Sequence, residues 1–404
     1  GVARDLLNCL QVLLRRVPGG LALAVTLMGT ILAATTGIIG ASVVMMSLLA
    51  LPVMIQRGYA QTLSTGTIAA SGTLGILIPP SIMLVIMADL LSRSVGNLFV
   101  AAVIPGFMLS FMYVIYIVVV SMLKPQLAPK LPPELGPRSA GAYVLMLARS
   151  FLPPVFLIFC VLGSILGGFA TPTEAAGVGA IGSVILAFIN LVLLPALKVP
   201  EFHFEGEAKA DLDDHATGQG SGADLAHFWG VLKDVVVRTG LTNAMLFGIF
   251  VGATLFSYMF RALGGEAQVD NFIEHLGLGP WGLLFMLMAI VFVLGFFLDW
   301  IEITLIVLPV FAPVVAGLDF GDHVMRSEVT YWFAILLAVN LQTSFLTPPF
   351  GFALFYMKAV APPEIKIQKI YLGIIPFVLI QLLALALVVL FPELALWLPR
   401  QVFG

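Results

Sequence analysis

The sequence predicts an all-α polytopic membrane protein, an inverted repeat with two re-entrant helical hairpins and two interrupted helices. Three observations predict it. Sixty per cent of the 404 residues are hydrophobic and 10% are charged, with a mean hydropathy of +1.08. Apolar runs of about 20 residues, the length of a membrane-spanning helix, recur from residue 20 to residue 398. A barrel would need short alternating strands instead. The second observation is a repeated punctuation. Leu51-Pro52-Val53, Gly58 and Gly72-Thr-Leu-Gly-Ile-Leu-Ile-Pro-Pro-Ser81 in the first half are matched in the second by Leu308-Pro309-Val310, Gly317 and Asn340-Leu-Gln-Thr-Ser-Phe-Leu-Thr-Pro-Pro-Phe-Gly351. Paired apolar segments broken by Gly and Pro mark the binding sites of secondary transporters. The third is the placement of positive charge.

Residues 1–19 read as an amphipathic cytoplasmic segment. They begin Gly1-Val2-Ala3-Arg4, with neither Met nor a signal-peptide layout, so a preceding segment is expected. Helical segments at 20–36 and 42–56 are short for a span, and only Gly37 to Ala41 separates them; they form the first hairpin. Segment 62–92 is interrupted, and 98–123 spans. Residues 124–148 form a Pro-rich basic connector. Segments 149–168 and 173–197 span. Thr171-Pro172-Thr173-Glu174 is a capping box that starts the second of these, and its small residues from Ala175 to Ala180 suit close packing on a neighbour.

Residues 199–237 read as a polar cytoplasmic loop with an acidic middle and the Gly/Ser-rich Thr217–Gly222. Its His203, His215 and His227 are too irregularly spaced for a metal site. Segment 238–261 spans, 281–297 and 301–316 form the second hairpin around Leu298 to Trp300, 330–360 is interrupted, and 369–391 spans. The two cysteines, Cys9 and Cys160, read as packed thiols rather than a disulfide.

Charge tests the hairpins. If both are re-entrant, Arg4, Arg15, Arg16, Arg57, Lys124, Lys130, Arg138, Arg149, Lys198, Lys209, Lys233, Arg238, Lys358, Lys366 and Lys369 share one side. Only Arg93, Arg261, Arg326 and Arg400 take the other. Fifteen against four is a strong bias, so the first side is cytoplasmic. The hairpins then open from opposite sides, as an inverted repeat requires. Ordinary spanning helices would weaken the bias.

A helix broken at membrane depth frees carbonyls that must find partners. Carbonyls and hydroxyls are hard oxygen ligands suited to Na⁺, and helix N-termini at the same breaks suit an anion. The first candidate site pairs the tip Gly37–Ser42 with the break Gly72–Ser81, and offers Thr35, Thr36, Ser42, Ser71, Thr73 and Ser81. The second pairs the tip Leu298–Thr304 with the break Asn340–Gly351, and offers Asp299, Glu302, Thr304, Asn340, Gln342, Thr343, Ser344 and Thr347. Any single hydroxyl is more often bonded to its own helix; the clustering makes the case. Acids inside a membrane segment point to function by default. Asp299 and Glu302 are therefore the sharper signals, and Asp89 reads as interfacial. Ser42, Ser81, Thr304 and Thr347 are the expected substrate contacts.

Gly37–Ser42, Gln56-Arg-Gly-Tyr59, Gly72–Ser81, Leu98-Phe-Val-Ala-Ala-Val-Ile-Pro-Gly106, Phe169-Ala-Thr-Pro-Thr-Glu-Ala-Ala176, Gly295–Pro309 and Leu346–Gly351 run in one order along the chain. Together they resemble the large membrane (permease) subunit of the TRAP, or tripartite ATP-independent periplasmic, transporters of the ion-transporter superfamily. The resemblance implies an elevator motion and Na⁺-driven uptake of an organic acid. It implies two partners, a periplasmic solute-binding protein and a small membrane subunit, and a multi-pass place in a bacterial inner membrane. It also implies a first Na⁺ site at Gly40, Ala41, Ser42, Gly72, Thr73 and Gly75, and a second at Asp299, Thr304, Thr343, Ser344 and Thr347. Residues 20–123 and 262–404 would hold the two halves of the transport domain, and 149–261 the scaffold. The family's usual start is several helices longer. The first tip reads Gly-Ala-Ser where relatives often have Gly-Ser-Ser. The Asp299-Trp-Ile-Glu302 tip resembles a subgroup labelled for mannitol or chloroaromatic compounds, while a small carboxylate is the expected substrate.

The expected function is thus transport across a lipid bilayer, without chemical transformation and without a nucleic-acid partner. The alternatives are a stand-alone H⁺-coupled organic-anion carrier and, remotely, an intramembrane aspartyl protease. The protease needs two facing deep Asp, and only Asp299 is convincingly deep.

Overall fold

A computed structural model of the chain describes residues 2–37, 39–131, 140–196, 225–348 and 351–403. Among these residues the regular structure is helical. In order the helices are α1 Val2–Leu14, α2 Gly20–Thr36, α3 Ile39–Gln56, α4 Gln61–Thr73, α5 Ile82–Leu90, α6 Val95–Leu123, α7 Ala140–Leu166, α8 Pro172–Phe188, α9 Leu194–Ala196, α10 Leu225–Ala262, α11 Gly265–Leu276, α12 Pro280–Leu294, α13 Trp300–Ala316, α14 Val329–Leu346, α15 Phe352–Val360, α16 Ile367–Leu390 and α17 Glu393–Phe403. Seven helical stretches among the described residues are long and apolar enough to cross a membrane: α3, α6, α7, α8 with its extension to Ala196, α10, α14 and α16. α2 and α13 are apolar but shorter.

The two short helix pairs are each closed at their outer ends. α2 stops at Gly37, whose φ of 61° and N–H bond to the Ala33 carbonyl make a left-handed C-cap. The chain re-enters helix at Ile39, three residues before the expected start, so α3 reaches 18 residues and meets the length of a span. The outer ends of α2 and α3 meet where the Leu21 N–H donates to the Tyr59 hydroxyl at 3.2 Å. In the second pair, Trp281 at the start of α12 packs edge-on against Phe320, just beyond α13, with ring centroids 5.1 Å apart. Both rings also pack on Trp332 of α14.

α16 serves as a ruler between these closed ends. Near its start, Gly373 touches Thr62, three residues past Tyr59. Near its end, the Val388 carbonyl accepts from Trp332 Nε1 at 2.9 Å. The rise between the two contacts is about 22 Å. The two helix pairs are therefore closed near opposite ends of α16.

Each interrupted helix breaks where its prolines stand. Proline lacks an N–H and disfavours helix in the residue before it. α4 gives way to a 3₁₀ turn at Leu74–Ile76 and an irregular stretch before α5. The Pro79–Pro80 peptide is cis. Ser81 Oγ donates to the Ile76 carbonyl at 2.7 Å and so satisfies one of the freed acceptors. In the second half α14 ends at Leu346 and α15 begins at Phe352; Pro349 and Phe350 lie outside the described residues. Except for half-buried Tyr331, every residue of α14 is buried.

The helices differ sharply in cover. Only Ala175 of α8, and only Phe228 and Ala253 of α10, are buried. Apolar helices exposed along their length face lipid or another protein rather than water. α8 does pack on α7 through its small residues: a Cβ at Gly179 would lie 2.9 Å from Val161, and one at Gly182 2.7 Å from Leu157. The capping box is formed, with Thr171 N–H donating to Glu174 Oε2 at 2.8 Å and Glu174 N–H donating to Thr171 Oγ1 at 3.3 Å.

Several expected boundaries are corrected. The polar loop placed at 199–237 does not reach 237, because α10 begins at Leu225; Leu225, Phe228, Trp229 and Leu232 continue its apolar face. His227 is thus helical, and His203 and His215 lie outside the described residues. The connector placed at 124–148 likewise gives way to α7 at Ala140, nine residues before the expected start. Tertiary contact holds that extension: Met146 packs with Cys9 and Val12 of α1, and just beyond it Arg149 pairs with Asp5 at 3.5 Å and Ser150 Oγ donates to the Asp5 carbonyl at 3.0 Å. α11 and α17 were not anticipated, since both are short and amphipathic rather than apolar throughout.

α17 is tethered by Arg400, whose Nε and Nη2 both donate to the Glu328 carboxylate at 2.6 Å, while Nη1 reaches Glu393 at 2.7 Å. A bidentate fork is the strong form of such a pair. It is partly exposed, so Arg400→Gln is expected to cost about 1 kcal/mol. A thermal melt of the purified protein checks this; the loss should shrink in high salt.

Candidate ion and substrate site

The first tip and the first break are in backbone contact. A Cβ at Gly72 would fall 2.5 Å from Val43 Cγ2 and 3.2 Å from Val43 Cα, so only glycine lets α4 approach α3 beside Ser42. Gly37 faces Ile82, the first residue of α5. Ser42 and Gly75 are buried, Gly40 is partly exposed and Ala41 is exposed. Ser71 Oγ donates to Thr26 Oγ1 at 3.4 Å, and Thr73 Oγ1 donates to the Ala70 carbonyl at 2.9 Å. The side chains of Thr35 and Thr36 lie outside the described residues.

The second tip opens on Asp299, which N-caps α13: its Oδ1 accepts from the Trp300 N–H at 2.8 Å. That geometry follows from the sequence, since Asp is a favoured cap. Glu302 lies in the first turn, and its Oε2 is buried without a protein partner. Thr304 is buried, and its hydroxyl has no protein partner either. The second break lies against the end of α12, where a Cβ at Gly295 would meet Ser344 Oγ at 2.0 Å. Asn340 Nδ2 donates to the Met288 carbonyl of α12 at 2.8 Å and fastens α12 to the broken helix.

Thr343, Ser344 and Thr347 each donate to their own helix, to the carbonyls of Val339, Leu341 and Thr343 at 2.8 Å. A hydroxyl that has placed its proton on a carbonyl keeps its lone pairs, so it can still accept from a donor or ligate a cation. The oxygen-only donor set therefore fits a hard cation such as Na⁺. Among the described residues no group of three or more His, Cys, Asp or Glu could hold a metal ion.

Three connections between the halves were not read from the sequence. Gln342 Nε2 of the second break donates to Thr73 Oγ1 of the first at 3.3 Å, and Gln342 Oε1 is left buried without a partner. Tyr356 of α15 packs on the first tip and faces the charge of the second. A Cβ at Gly40 would touch its ring at 3.0 Å, and its phenol is within electrostatic reach of both Asp299 and Glu302. Further along, the buried Tyr113 hydroxyl accepts from Gln381 Nε2 at 2.7 Å. Gln381 was findable: it is the one side-chain amide in the apolar stretch from Ile370 to Leu390. Tyr356 carried no such signal.

The family described as "Tripartite ATP-independent periplasmic transporter, DctM component" matches residues 1–394. A C4-dicarboxylate TRAP transporter large permease protein of Pseudomonas aeruginosa is 30% identical, over 99% of this chain and 82% of its own length. An ectoine TRAP transporter large permease protein of Halomonas elongata is 28% identical over 99% of this chain and 82% of its own. The isethionate TRAP transporter permease protein DctMQ of Oleidesulfovibrio alaskensis is 26% identical over 98% of this chain, which spans 55% of that relative.

Proposed function

Since this chain belongs to the DctM family, the large permease component of the TRAP transporters, we propose that it takes up a small organic anion with Na⁺, received from a periplasmic solute-binding protein. The family membership makes it a transport permease of the inner membrane, not an enzyme. The observation that carries the finer reading is the meeting of the two helix breaks at Thr73 and Gln342, with Tyr356 packed on the first tip.

In this reading the two helix pairs are re-entrant hairpins of an inverted repeat. Their closed ends at opposite ends of α16 support it, as does the gathering of the minority cations around the start of α14. Arg93 reaches Thr330, Arg261 lines the same hollow, Arg326 precedes the helix and Arg400 binds Glu328. Na⁺ binds at Gly40, Ala41, Ser42, Gly72, Thr73 and Gly75, largely through backbone, and again at Asp299, Thr343, Ser344 and Thr347. Ser42, Ser81, Thr304 and Thr347 line the adjoining substrate site. Alternating access is an elevator movement of the hairpins and broken helices against α7, α8 and α10. The exposed faces of α8 and α10 meet lipid and the small membrane subunit. Relatives named for C4-dicarboxylate and for isethionate support an anionic substrate.

The purified chain tests the coupling ion without knowledge of the substrate. A ligand present at ten times its dissociation constant stabilises the native state by about 1.4 kcal/mol. The melting temperature should therefore rise with NaCl relative to choline chloride at equal ionic strength. Equal melting in both salts overturns Na⁺ coupling.

A further inference from the structure

Away from the tips, a hollow of about 490 Å³ opens between α5, α10, α13 and the start of α14. Its polar lining is Asp89, Ser92, Arg93, Arg261 and Thr330, so two guanidinium groups face one carboxylate. Arg93 is held in place. Ser92 takes a φ of 51°, rare for a residue with a side chain, and turns the chain sharply after α5. The Arg93 N–H then donates to the Ala88 carbonyl at 2.8 Å, and its guanidinium reaches Thr330 Oγ1 at 3.5 Å with the Tyr331 ring 5.6 Å away. The opposite wall is Pro309, Ala312, Pro313 and Ala316 of α13, small and apolar. The start of α14 adds the positive end of a helix dipole.

We propose that this hollow is an external loading site for a small organic anion, with its carboxylate between Arg93 and Arg261 and its carbon chain against α13. The volume is that of a small-molecule pocket, and guanidinium groups favour carboxylates through paired N–H donors. An apolar wall opposite the charge suits an organic acid better than an inorganic ion. The external placement rests on the sidedness proposed above. The hollow joins elements assigned to the moving part, α5, α13 and α14, to Arg261 at the end of α10, so an elevator movement would take the two arginines apart and release the anion.

Arginine modification by phenylglyoxal, mapped by mass spectrometry on the purified chain, tests this without Na⁺ or a binding protein. Millimolar succinate should slow modification of Arg93 and Arg261 by about fivefold, and leave Arg326, whose side chain is 72% exposed, unaffected. Chloride at the same ionic strength should protect neither. In the variant carrying Arg93→Gln and Arg261→Gln, with an unchanged melting temperature, tryptophan fluorescence should report succinate binding weakened by about tenfold or more. If that variant does not fold, the protection of the wild type decides alone. Absent protection, equal protection at Arg326, or equal protection by sulfate overturns the proposal. Protection by the binding protein but not by succinate makes the hollow a docking surface and overturns it as well. None of these outcomes depends on Na⁺, so a failure here is distinct from a failure of Na⁺ coupling.

Discussion

Asp299→Asn is expected to abolish the stabilisation by Na⁺ and to lower uptake by more than about tenfold, while the fold survives. The two effects separate because Asp299 has two roles. Its Oδ1 caps α13 by accepting from the Trp300 N–H, and Asn caps about as well as Asp. The charge is what the substitution removes. Interactions with an ionised group are worth about 1.5–3 kcal/mol, which is tenfold to about a hundredfold in affinity. The check is a melt of the variant in NaCl and in choline chloride, followed by uptake into vesicles holding the complete transporter. A variant that melts as wild type in choline and no longer responds to Na⁺ places the carboxylate at the ion. A wild-type Na⁺ response removes Asp299 from it. Thr304→Val is the companion test at the other end of the tip's first turn. Its hydroxyl has no protein partner and lines the proposed substrate site, so its loss should lower uptake and leave both the Na⁺ response and the stability in choline nearly unchanged.

Gly66→Ala and Gly373→Ala should each strongly destabilise the protein, by about 3 kcal/mol or more. A Cβ at Gly66 would stand 2.1 Å from the carbonyl oxygen of Gly373, and one at Gly373 would stand 2.2 Å from that of Thr62. Both obstacles are backbone, so no rotamer change relieves them and α4 must part from α16. That separation would disturb the Thr73 end of α4, where the two breaks are joined. Small residues at such crossings are how membrane helices gain close packing. Gly177→Ala and Gly252→Ala are the controls, because a Cβ at either position meets nothing within 4 Å. Alanine there should be neutral or stabilising by up to about 1 kcal/mol. Melting temperature and membrane yield of the four variants report the contrast. Equal behaviour of all four contradicts the close crossing.

Much of the helical layout was legible because a bilayer makes local rules strict. Apolar length, the Pro-Pro pairs and the Thr171–Glu174 capping box are each specified within a few residues. Boundaries slipped where tertiary contact extends a helix. α7 starts at Ala140 rather than 149, and its extension packs through Met146 on Cys9 and Val12 of α1. The short amphipathic α11 and α17 escaped because their sequences carry no long apolar run.

The sequence by itself determined that this is a helical membrane permease with two broken helices, and it named the residues that stand at the breaks. It could do so because each backbone group in an apolar medium must be satisfied within its own helix, which ties helix, cap and interruption to neighbouring residues. Only the tertiary structure decided what the breaks face. Thr73 and Gln342 are 269 residues apart, and Tyr356 packs against Gly40 from the other half of the chain. Gly66 and Gly373 read as ordinary small residues until two backbones meet across them. Such pairings arise from packing over the whole chain, and no local propensity encodes them.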